Sequence, residues 1–321
     1  MPSASHSHSR IHLQALQVGQ GHRVALATAG DPALPAVLIV HGGPGGGSRL
    51  REPLLFDARR HYLVWVDQRG CARSRPRGST RRNNTGLLVR DLERVREHLG
   101  LSNWSVYGGS WGAALALAYA AAHPTRVRAL LLRGSYLTSR RDTARFMLAG
   151  RRRAPRAWHS LLHAAGATRA DKLLQCCATV SRDGTVAQRR RFGLIWSLFE
   201  NAMLFGDTRR QKRMSSRKLR DLQNRNRIQW HYLSHACWLG RQHLRRCVQA
   251  LRDAHWPVLA VHGSNDAMCP PGNLRVLRQW LPRLRTRLLD CGHLETEPAM
   301  LRALRTGLAE LAELAELADQ G

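Results

Sequence analysis

Residues 108–112 read Gly-Gly-Ser-Trp-Gly, directly after an apolar segment at 104–107 and directly before an alanine-rich segment at 113–122. A serine on a sharp turn between a strand and a helix needs glycine two residues before and after it, because larger side chains would collide where the two elements pack. Such a turn raises the hydroxyl above the sheet and directs the first free N–H groups of the helix toward it. A glycine-rich turn with an incidental serine is the alternative, but the motif, the strand and the helix agree. We therefore predict that Ser110 is a nucleophile on such a turn.

The rest of the chain continues this alternation of strand and helix. Short apolar, β-branched segments alternate with helical patterns, which is typical of an α/β fold with a mostly parallel sheet and helices on both faces. From residue 138 to 252 the alternation stops, and amphipathic helices are predicted there, inserted as a cap over the strand ends. We predict a core of residues 11–137 and 253–321, a helical cap at 138–252 and a disordered tail at 1–10. The predicted strands are 36–41, 62–67, 104–108, 127–133, 258–262 and 287–290, and the predicted helices are 85–99, 111–122, 273–280 and 308–316.

A catalytic serine needs a base, and the base needs a carboxylate to orient it. On this kind of turn the three residues follow in the order serine, acid, histidine. Asp266 follows the predicted strand 258–262 and His293 follows the next apolar segment, so both leave strand ends on the side of Ser110. We predict these three residues as the catalytic triad. Three other carboxylates are rival candidates for the acid: Asp290, Glu295 and Glu297.

The segment His-Gly-Gly-Pro-Gly-Gly-Gly at 41–47 follows another predicted strand. Glycine lets a backbone N–H approach a substrate oxygen without obstruction by a side chain. The amides of Gly43 and Trp111 are predicted to form a two-donor oxyanion hole. A phosphate-binding loop is the alternative, but the Lys-Ser or Lys-Thr that ends such a loop is missing. We interpret the Asp-Gln-Arg-Gly segment at 67–70 as a structural loop with buried ion pairing.

The formal charge of +29 is the least ordinary global property of the chain. The basic residues are nearly all arginines and are spread through every segment. A non-catalytic protein that binds polyanions is one hypothesis. Arginines dispersed over solvated faces are the favoured alternative, because no recognition helix, zinc finger or aromatic-basic motif is found. We expect no specific nucleic-acid partner and only non-specific binding to polyanions.

The seven cysteines include no C-x-x-C pair and no metal-ligand spacing, which indicates free thiols in a reducing compartment. No apolar segment reaches the roughly 18 residues that a membrane span needs. The first ten residues lack the apolar segment of a secretory signal. We therefore expect a cytoplasmic protein with no metal, no other cofactor and no membrane partner. The sequence does not indicate an oligomeric state.

Several motifs taken together resemble those of the proline iminopeptidases, a family of the α/β-hydrolase superfamily. They are His-Gly-Gly-Pro-Gly-Gly-Gly at 41–47, Asp-Gln-Arg-Gly-Cys at 67–71, Asn-Asn-Thr at 83–85, Gly-Gly-Ser-Trp-Gly at 108–112, Leu-Ala-Tyr-Ala at 117–120 with His-Pro at 123–124, Cys-Pro at 269–270 and Gly-His at 292–293. The resemblance implies the α/β-hydrolase fold and an enzyme that releases N-terminal proline from small peptides. The acyl group would pass to Ser110 and then to water, without a metal.

In that family, glutamates of the cap hold the free amino group of the substrate, so the resemblance also implies substrate-binding residues. Trp-Ser-Leu-Phe-Glu at 196–200 is similar to the segment that carries one of them, which assigns this role to Glu200. A solvated glutamate on a cap helix is the alternative. The second glutamate corresponds to Gln229, which accepts a hydrogen bond but carries no charge. The alternative function is therefore an esterase or amidase of the same fold with altered substrate specificity.

Overall fold

The structure is a computed structural model that describes residues 10–51, 55–206 and 215–319. Its strands, in chain order, are β1 (His12–Gly19), β2 (His22–Ala29), β3 (Ala36–Val40), β4 (Tyr62–Asp67), β5 (Trp104–Gly109), β6 (Val127–Arg133), β7 (Val258–Gly263) and β8 (Arg285–Leu289). They form one sheet in the order β1-β2-β4-β3-β5-β6-β7-β8. The pairs β1–β2 and β2–β4 are antiparallel, and all other neighbours are parallel.

Helices connect the parallel strands and cover the sheet. In the same described ranges they are α1 (Thr85–His98), α2 (Trp111–Ala122), α3 (Arg140–Arg153), α4 (Pro155–Ala164), α5 (Leu173–Asp183), α6 (Val186–Phe205), α7 (Ser216–Ser234), α8 (Gly240–Ala250), α9 (Asn273–Trp280) and α10 (Pro298–Asp319). Short 3-10 turns lie at Pro124–Arg126, Ala170–Lys172 and Ala236–Trp238. The side chain of Asn84 caps the N-terminus of α1, where it accepts from the N–H of Leu87.

The predicted α/β fold with a mostly parallel sheet is confirmed, and all six predicted strands are present. Strands β1 and β2 are missing from the predicted set. Apolar and polar residues are mixed along β1, so no continuous apolar segment marks it. Strand β2 does contain a short apolar segment at 24–27 but is not among the predicted strands. The last strand begins two residues earlier than the predicted 287–290. The terminal helix α10 is longer at both ends than the predicted 308–316. These differences leave the edge that carries the candidate site unchanged.

The central strands are buried on both faces of the sheet. Along β3, Leu38 and Val40 belong to the buried cluster that includes α1, α2, α8 and α9. Val37 and Ile39 of the same strand belong to the cluster that includes α10. Alternate side chains of a strand point to opposite faces, so a doubly covered strand must be apolar at every position. The carboxyl ends of these strands therefore form a firmly packed edge from which functional residues can project.

Helices α3 to α7 share a third buried cluster. Met147, Trp158, Cys177, Trp196 and Trp230 represent the five helices in it. Large aromatic side chains contribute much of the apolar area that holds such a layer together. This part of the chain matches the helical character predicted for the cap.

Helix α8 packs differently, because its Leu244 and Val248 lie in the cluster around α2 on the sheet. The division into a core and a cap at 138–252 stays a prediction. Of the tail predicted at 1–10, only Arg10 lies within the described residues. No helix of the described residues combines the length and apolar character that a membrane crossing requires.

Candidate active site

Ser110 lies on a strained turn between β5 and α2. Its backbone has φ 58° and ψ −120°, a left-handed conformation that non-glycine residues rarely adopt. A Cβ at Gly108 would approach the carbonyl oxygen of Gly112 to 2.3 Å, and a Cβ at Gly112 would approach the carbonyl oxygen of Val40 to 2.3 Å. The glycines two residues before and after the serine are therefore required by close backbone packing, as the sequence predicts.

Asp266 follows β7 and is held by backbone and side-chain donors. Its Oδ1 accepts from the N–H groups of Met268 and Cys269, both at 2.8 Å. Its Oδ2 lies 2.7 Å from Nδ1 of His293 and 3.3 Å from Nε2 of His262. Burial raises the pKa of this carboxyl, but the charge of His293 and the hydrogen bonds to the carboxylate outweigh it and hold the pKa well below its usual range. Asp266 is therefore ionised and fixed in direction.

His293 follows β8 and is oriented by Asp266. Because Nδ1 donates to that carboxylate, Nε2 carries the lone pair. Nη1 of Arg133 lies 3.3 Å from Nε2 and donates to the carbonyl oxygen of His293 at 2.7 Å. Burial lowers the pKa of His293, the charge of Asp266 opposes this effect, and the charge of Arg133 adds to it. The imidazole is thus a neutral base at neutral pH, in the tautomer that can accept a proton.

Ser110 and His293 lie on either side of one short backbone segment. The N–H of Ser110 donates to the carbonyl oxygen of Arg133 at 2.8 Å. A Cβ at Gly134 would lie 3.2 Å from Nδ1 of His293. In the described part of the chain, the serine hydroxyl and the imidazole form no hydrogen bond, and Oγ of Ser110 lies 3.8 Å from Sγ of Cys269. Such hydrogen bonds are often long without substrate and shorten when it binds.

The rival carboxylates are engaged elsewhere. Oδ1 of Asp290 accepts from the side chain of Asn265 at 2.9 Å. Glu297 accepts from the N–H groups of Gly292 and Leu294, and so shapes the loop that carries the histidine. Glu295 accepts from the hydroxyl of a tyrosine at 3.2 Å. Among the four candidates, Asp266 forms the contact with Nδ1 of His293 that a triad acid needs.

The glycine-rich loop after β3 lies directly over Ser110. A Cβ at Gly42 would lie 2.8 Å from the carbonyl oxygen of Gly109 and 3.3 Å from Cβ of Ser110. Gly43 has φ +127°, a conformation that favours glycine. Gly42 therefore contacts the turn of Ser110. The amides of Gly43, the next residue of this loop, and of Trp111, the first residue of α2, stay the predicted oxyanion donors.

Gln68 connects the two halves of the candidate oxyanion hole. Its Nε2 donates to the carbonyl oxygen of His41 at 2.8 Å, and its Oε1 accepts from the indole N–H of Trp111 at 3.0 Å. Its backbone N–H also donates to Nε2 of His41 at 3.1 Å. Gln68 lies in the segment that the sequence marks as structural, and its positioning role is not predicted there. Only the pairing of β3 with β4 brings it to this place.

The same segment contains the buried ion pair that the sequence predicts. Arg69 and Asp91 lie 2.5 Å apart at Nε and Oδ2, and both side chains are almost fully buried. Asp67 accepts from the backbone N–H of Ser48 at 2.7 Å and pairs with Arg73. These contacts tie the end of β4 to the glycine-rich loop and to α1.

Glu200 on α6 and Gln229 on α7, the predicted substrate-binding residues, contact each other in the predicted cap. Oε1 of Glu200 accepts from Nε2 of Gln229 at 2.6 Å, and Oε2 accepts from Nη2 of Arg225 at 3.0 Å. Oε1 of Gln229 accepts from the indole N–H of Trp196 at 3.0 Å. Glu200 is only 5% exposed, so the interpretation as a solvated glutamate is wrong.

This cap cluster adjoins the glycine-rich loop. A Cβ at Gly45 would lie 2.4 Å from the carbonyl oxygen of Arg225 and 3.2 Å from the backbone nitrogen of Gln229. Helix α7 therefore rests directly on the loop that covers Ser110. No group of three or more histidine, cysteine, aspartate or glutamate side chains in the described ranges has an arrangement that could hold a metal ion.

Residues 35–295 match the family described as the alpha/beta hydrolase fold. A proline iminopeptidase of Xylella fastidiosa is 33% identical over 296 residues, which cover 90% of this chain and 93% of that protein. A proline iminopeptidase of Neisseria meningitidis serogroup B is 30% identical over 299 residues, which cover 92% of this chain and 94% of that protein.

Solved structures share the fold at lower identity. A haloalkane dehalogenase from Bradyrhizobium elkani superimposes with a TM-score of 0.62 at 18% identity, and the match covers 96% of this chain and 100% of the other. A 2-hydroxy-6-oxo-6-phenylhexa-2,4-dienoate hydrolase from a Rhodococcus strain gives a TM-score of 0.57 at 20% identity and covers 98% of this chain and 100% of the other. These likenesses concern the arrangement of the backbone alone.

Proposed function

Because the chain belongs to the proline iminopeptidase family of α/β hydrolases, we propose that it is a serine aminopeptidase that releases N-terminal proline from small peptides. The observation that carries the proposal is the 2.7 Å contact between Asp266 and Nδ1 of His293, at the sheet edge where Ser110 projects from its strained turn. The three residues follow the carboxyl ends of β5, β7 and β8 in the chain order serine, acid, histidine, which supports a triad for acyl transfer.

The chemistry follows from the tautomer of His293. Nε2 accepts the hydroxyl proton while Oγ of Ser110 attacks the carbonyl carbon of the N-terminal proline. The imidazolium then donates this proton to the leaving amine, which leaves prolyl-Ser110 as an ester. A water molecule, deprotonated by Nε2, attacks the ester, and the imidazolium returns this proton to Oγ of Ser110 as the ester bond breaks and proline leaves. Asp266 stabilises the imidazolium in both halves of the reaction.

The tetrahedral intermediates carry a negative charge on the former carbonyl oxygen. The amides of Gly43 and Trp111 are the proposed donors for this oxygen. Gln68 would hold both donors in place, since it contacts the loop at His41 and the side chain of Trp111. Preorganised donors of this kind stabilise the transition state without reorganising during the reaction.

An N-terminal proline presents a secondary ammonium group, which has two N–H donors and a positive charge at neutral pH. Glu200 is the proposed acceptor for that group, because its carboxylate is buried beside the loop that covers Ser110. A charge-assisted hydrogen bond in a partly dry pocket is stronger than a neutral one. The buried position of Glu200 therefore supports a preference for free over blocked N-termini.

One observation favours a second candidate, an esterase or amidase of the same fold. Glu200 is already paired with Arg225 and with the neutral Gln229. A substrate ammonium must displace or share those partners, and the neighbouring guanidinium repels it. An uncharged substrate would not meet this cost.

Turnover of three substrates separates the two candidates. They are prolyl-arylamide, N-acetylprolyl-arylamide and a simple acetyl arylester. The aminopeptidase should hydrolyse the free amine at least about 100-fold faster than the acetylated form in kcat/KM, since blocking removes both the charge and its hydrogen bonds. Equal rates or a preference for the blocked amide would reject the aminopeptidase and establish the second candidate.

We also place the protein in the cytoplasm. All seven cysteines are free thiols, and five of them are buried, including Cys177, Cys237 and Cys269. A reducing compartment keeps such thiols unpaired. Fractionation of cells that produce the protein should recover it with cytoplasmic markers, and recovery with envelope or extracellular fractions would contradict the assignment.

A further inference from the structure

A recess lies beside His293, away from the cluster of Glu200 and Gln229. It is a cavity of about 470 Å³, lined by the glycine-rich loop, the ends of the central strands and the loop that carries His293. Gly42 and Gly47 line it, whereas Gly45 of the same loop faces α7. The loop therefore separates this cavity from Glu200 and Gln229.

The position of the cavity relates it to the leaving group. In the proposed function, the substrate ammonium lies at Glu200. The scissile carbonyl then lies between Glu200 and this cavity. His293 must donate a proton to the leaving amine, so that amine lies on the side of the imidazole. Because His293 lines the cavity, the recess lies where it could receive the residue after the scissile bond.

The lining of the cavity combines an apolar floor with a cationic rim. Ile39, Leu55, Trp65 and Leu301 provide the apolar surface, which suits a hydrophobic side chain. Three arginines and one glutamate provide the charged groups: Arg49, Arg51, Arg133 and Glu295.

Two of these charged groups neutralise each other. Glu295 lies 3.9 Å from Nη2 of Arg133 and accepts from the hydroxyl of Tyr107 at 3.2 Å. Arg133 also donates to the carbonyl oxygen of His293 and is nine-tenths buried. Arg133 is therefore committed to positioning the histidine loop.

Arg49 and Arg51 are the remaining charges at the rim. Both are exposed, and neither forms an ion pair with a carboxylate in the described ranges. Two guanidinium groups at the mouth of an apolar pocket match a substrate with a hydrophobic side chain and a terminal carboxylate.

We propose that this cavity, with Arg49 and Arg51 at its rim, binds the C-terminal residue of the substrate and its α-carboxylate. The preferred substrates are then dipeptides of proline followed by an apolar residue with a free C-terminus. This inference rests on the proposed function, because the direction of the substrate is set by the ammonium site at Glu200. It adds a selection for length, since a longer peptide has no carboxylate at this position.

Binding to an inactive variant tests the proposal without turnover. Calorimetry on Ser110→Ala measures the Kd for prolyl-leucine and for prolyl-leucinamide, which differ only in the C-terminal charge. We expect the free acid to bind about tenfold more tightly than the amide. In Ser110→Ala/Arg49→Ala/Arg51→Ala the two Kd values should agree within about twofold, with the value for the amide unchanged.

The matched control removes the same charge from another surface. Arg245 and Arg246 on α8 are exposed and do not line the cavity. Their double alanine variant, in the Ser110→Ala background, should keep the tenfold preference. Equal Kd values in Ser110→Ala itself, an unchanged preference without Arg49 and Arg51, or an equal loss in the α8 control would each overturn the proposal.

Kinetics distinguish this failure from failure of the proposed function. The ratio of kcat/KM for prolyl-leucine to that for prolyl-leucinamide is compared between the wild-type enzyme and Arg49→Ala/Arg51→Ala. Comparing the two ratios cancels the intrinsic difference between the leaving amines. We expect the ratio to fall about tenfold in the variant. Hydrolysis of both peptides with an unchanged ratio would reject the subsite alone, whereas hydrolysis of neither would reject the aminopeptidase and leave the binding experiment to decide the subsite.

Discussion

Asp266 at the sheet edge and Glu200 in the cap are both buried carboxylates, but they are held in different ways. Asp266 accepts from two backbone N–H groups of its own turn and contacts two histidines. Within the described residues, Glu200 accepts from side chains alone, those of Gln229 and Arg225, and the arginine side chain is 41% exposed. The position of Asp266 is therefore set by backbone donors. The position of Glu200 is set by side chains that a single substitution can replace.

This difference indicates that the sheet edge determines the reaction and the cap determines which substrate is accepted. Backbone donors persist when side chains change, so the position of Asp266 depends little on the side chains of Met268 and Cys269. The cluster of Glu200, Gln229 and Arg225 is held by side chains, and Gln229 occupies the position to which the resemblance assigns a second glutamate. The same reactive edge can therefore serve an aminopeptidase or an esterase, depending on how much charge the cap leaves for a substrate ammonium.

The largest effect should come from removing the proposed nucleophile, Ser110, at the sheet edge. Ser110→Ala should lower kcat/KM for every substrate by at least about 10⁴-fold, because no other group can form the acyl intermediate. A fluorophosphonate probe should label the wild-type enzyme covalently and leave the variant unlabelled, as measured by intact mass. Ser102→Ala, which changes an exposed serine before β5, serves as the matched control and should be labelled normally.

The labelling experiment also tests the non-catalytic hypothesis. If the wild-type protein takes up no probe while its thermal unfolding is cooperative, the edge is inert. A protein that binds polyanions through its charge of +29 would then be the better account.

Glu200→Gln should produce the next largest effect, confined to substrates with a free amine. The change keeps the shape and removes the charge, so the loss of a hydrogen bond to a charged group costs about 1.5–3 kcal/mol, or roughly 10- to 150-fold in kcat/KM. N-acetylprolyl and acetyl ester substrates should be unaffected. Glu97→Gln, an exposed glutamate of α1, is the matched control. An equal loss on blocked substrates would show that Glu200 supports the fold and does not recognise the ammonium.

The pH dependence of kcat/KM should report the titration of His293 at the sheet edge and should not depend on the cap. Burial lowers the pKa of His293, so the imidazole stays neutral, and able to accept the serine proton, at pH values below its ordinary pKa of about 6.5. The rate should be full at neutral pH and fall about tenfold per pH unit only below that value. Glu200→Gln should leave the midpoint of this acidic limb in place. A midpoint above pH 7, or one that moves with the cap variant, would contradict the separation of the two regions.

The sequence predicts the edge well because each of its parts carries a local signal. Ser110 is marked by glycines that the turn requires, and Asp266 and His293 each follow a segment that reads as a strand. Parallel strands place their carboxyl ends together, so three local predictions combine into one site. The α/β fold is predicted by the same alternation of strand and helix.

The residues that position these side chains cannot be predicted from local sequence signals. Gln68 reaches His41 and Trp111 because β3 pairs with β4, and that order of strands cannot be read from the sequence. Arg133 reaches His293 from a strand 160 residues earlier. Their positions depend on strand order and on packing across the sheet, for which the residues themselves give no periodic pattern.

The cap shows the same limit, since Glu200 and Gln229 are assigned by resemblance and Arg225 is not predicted at all. Its contact with Glu200 depends on how α6 and α7 pack. Strand β1 escapes prediction for a related reason: at the edge of the sheet, much of β1 is exposed, so its sequence lacks the apolar run that marks a central strand.

The smallest effect should come from Arg225, and it tests whether the cap opposes the substrate. In the aminopeptidase, the guanidinium competes with the substrate ammonium for Oε2 of Glu200. Arg225→Ala should then lower KM for prolyl-arylamide. The gain should be only about two- to fivefold, because a half-exposed ion pair contributes about 0.2–1 kcal/mol. Raising the salt concentration should reduce the difference between variant and wild type, since salt screens an exposed charge.

Arg220→Ala, which removes an exposed arginine from the same helix, separates a local effect from the general charge of the protein. It should leave KM within experimental error of the wild-type value. A higher KM in Arg225→Ala would mean that the arginine holds Glu200 in its binding position and does not compete with the substrate. Glu200 would then be held in place as Asp266 is. The distinction between a fixed sheet edge and an adjustable cap would not apply to the contact between Arg225 and Glu200.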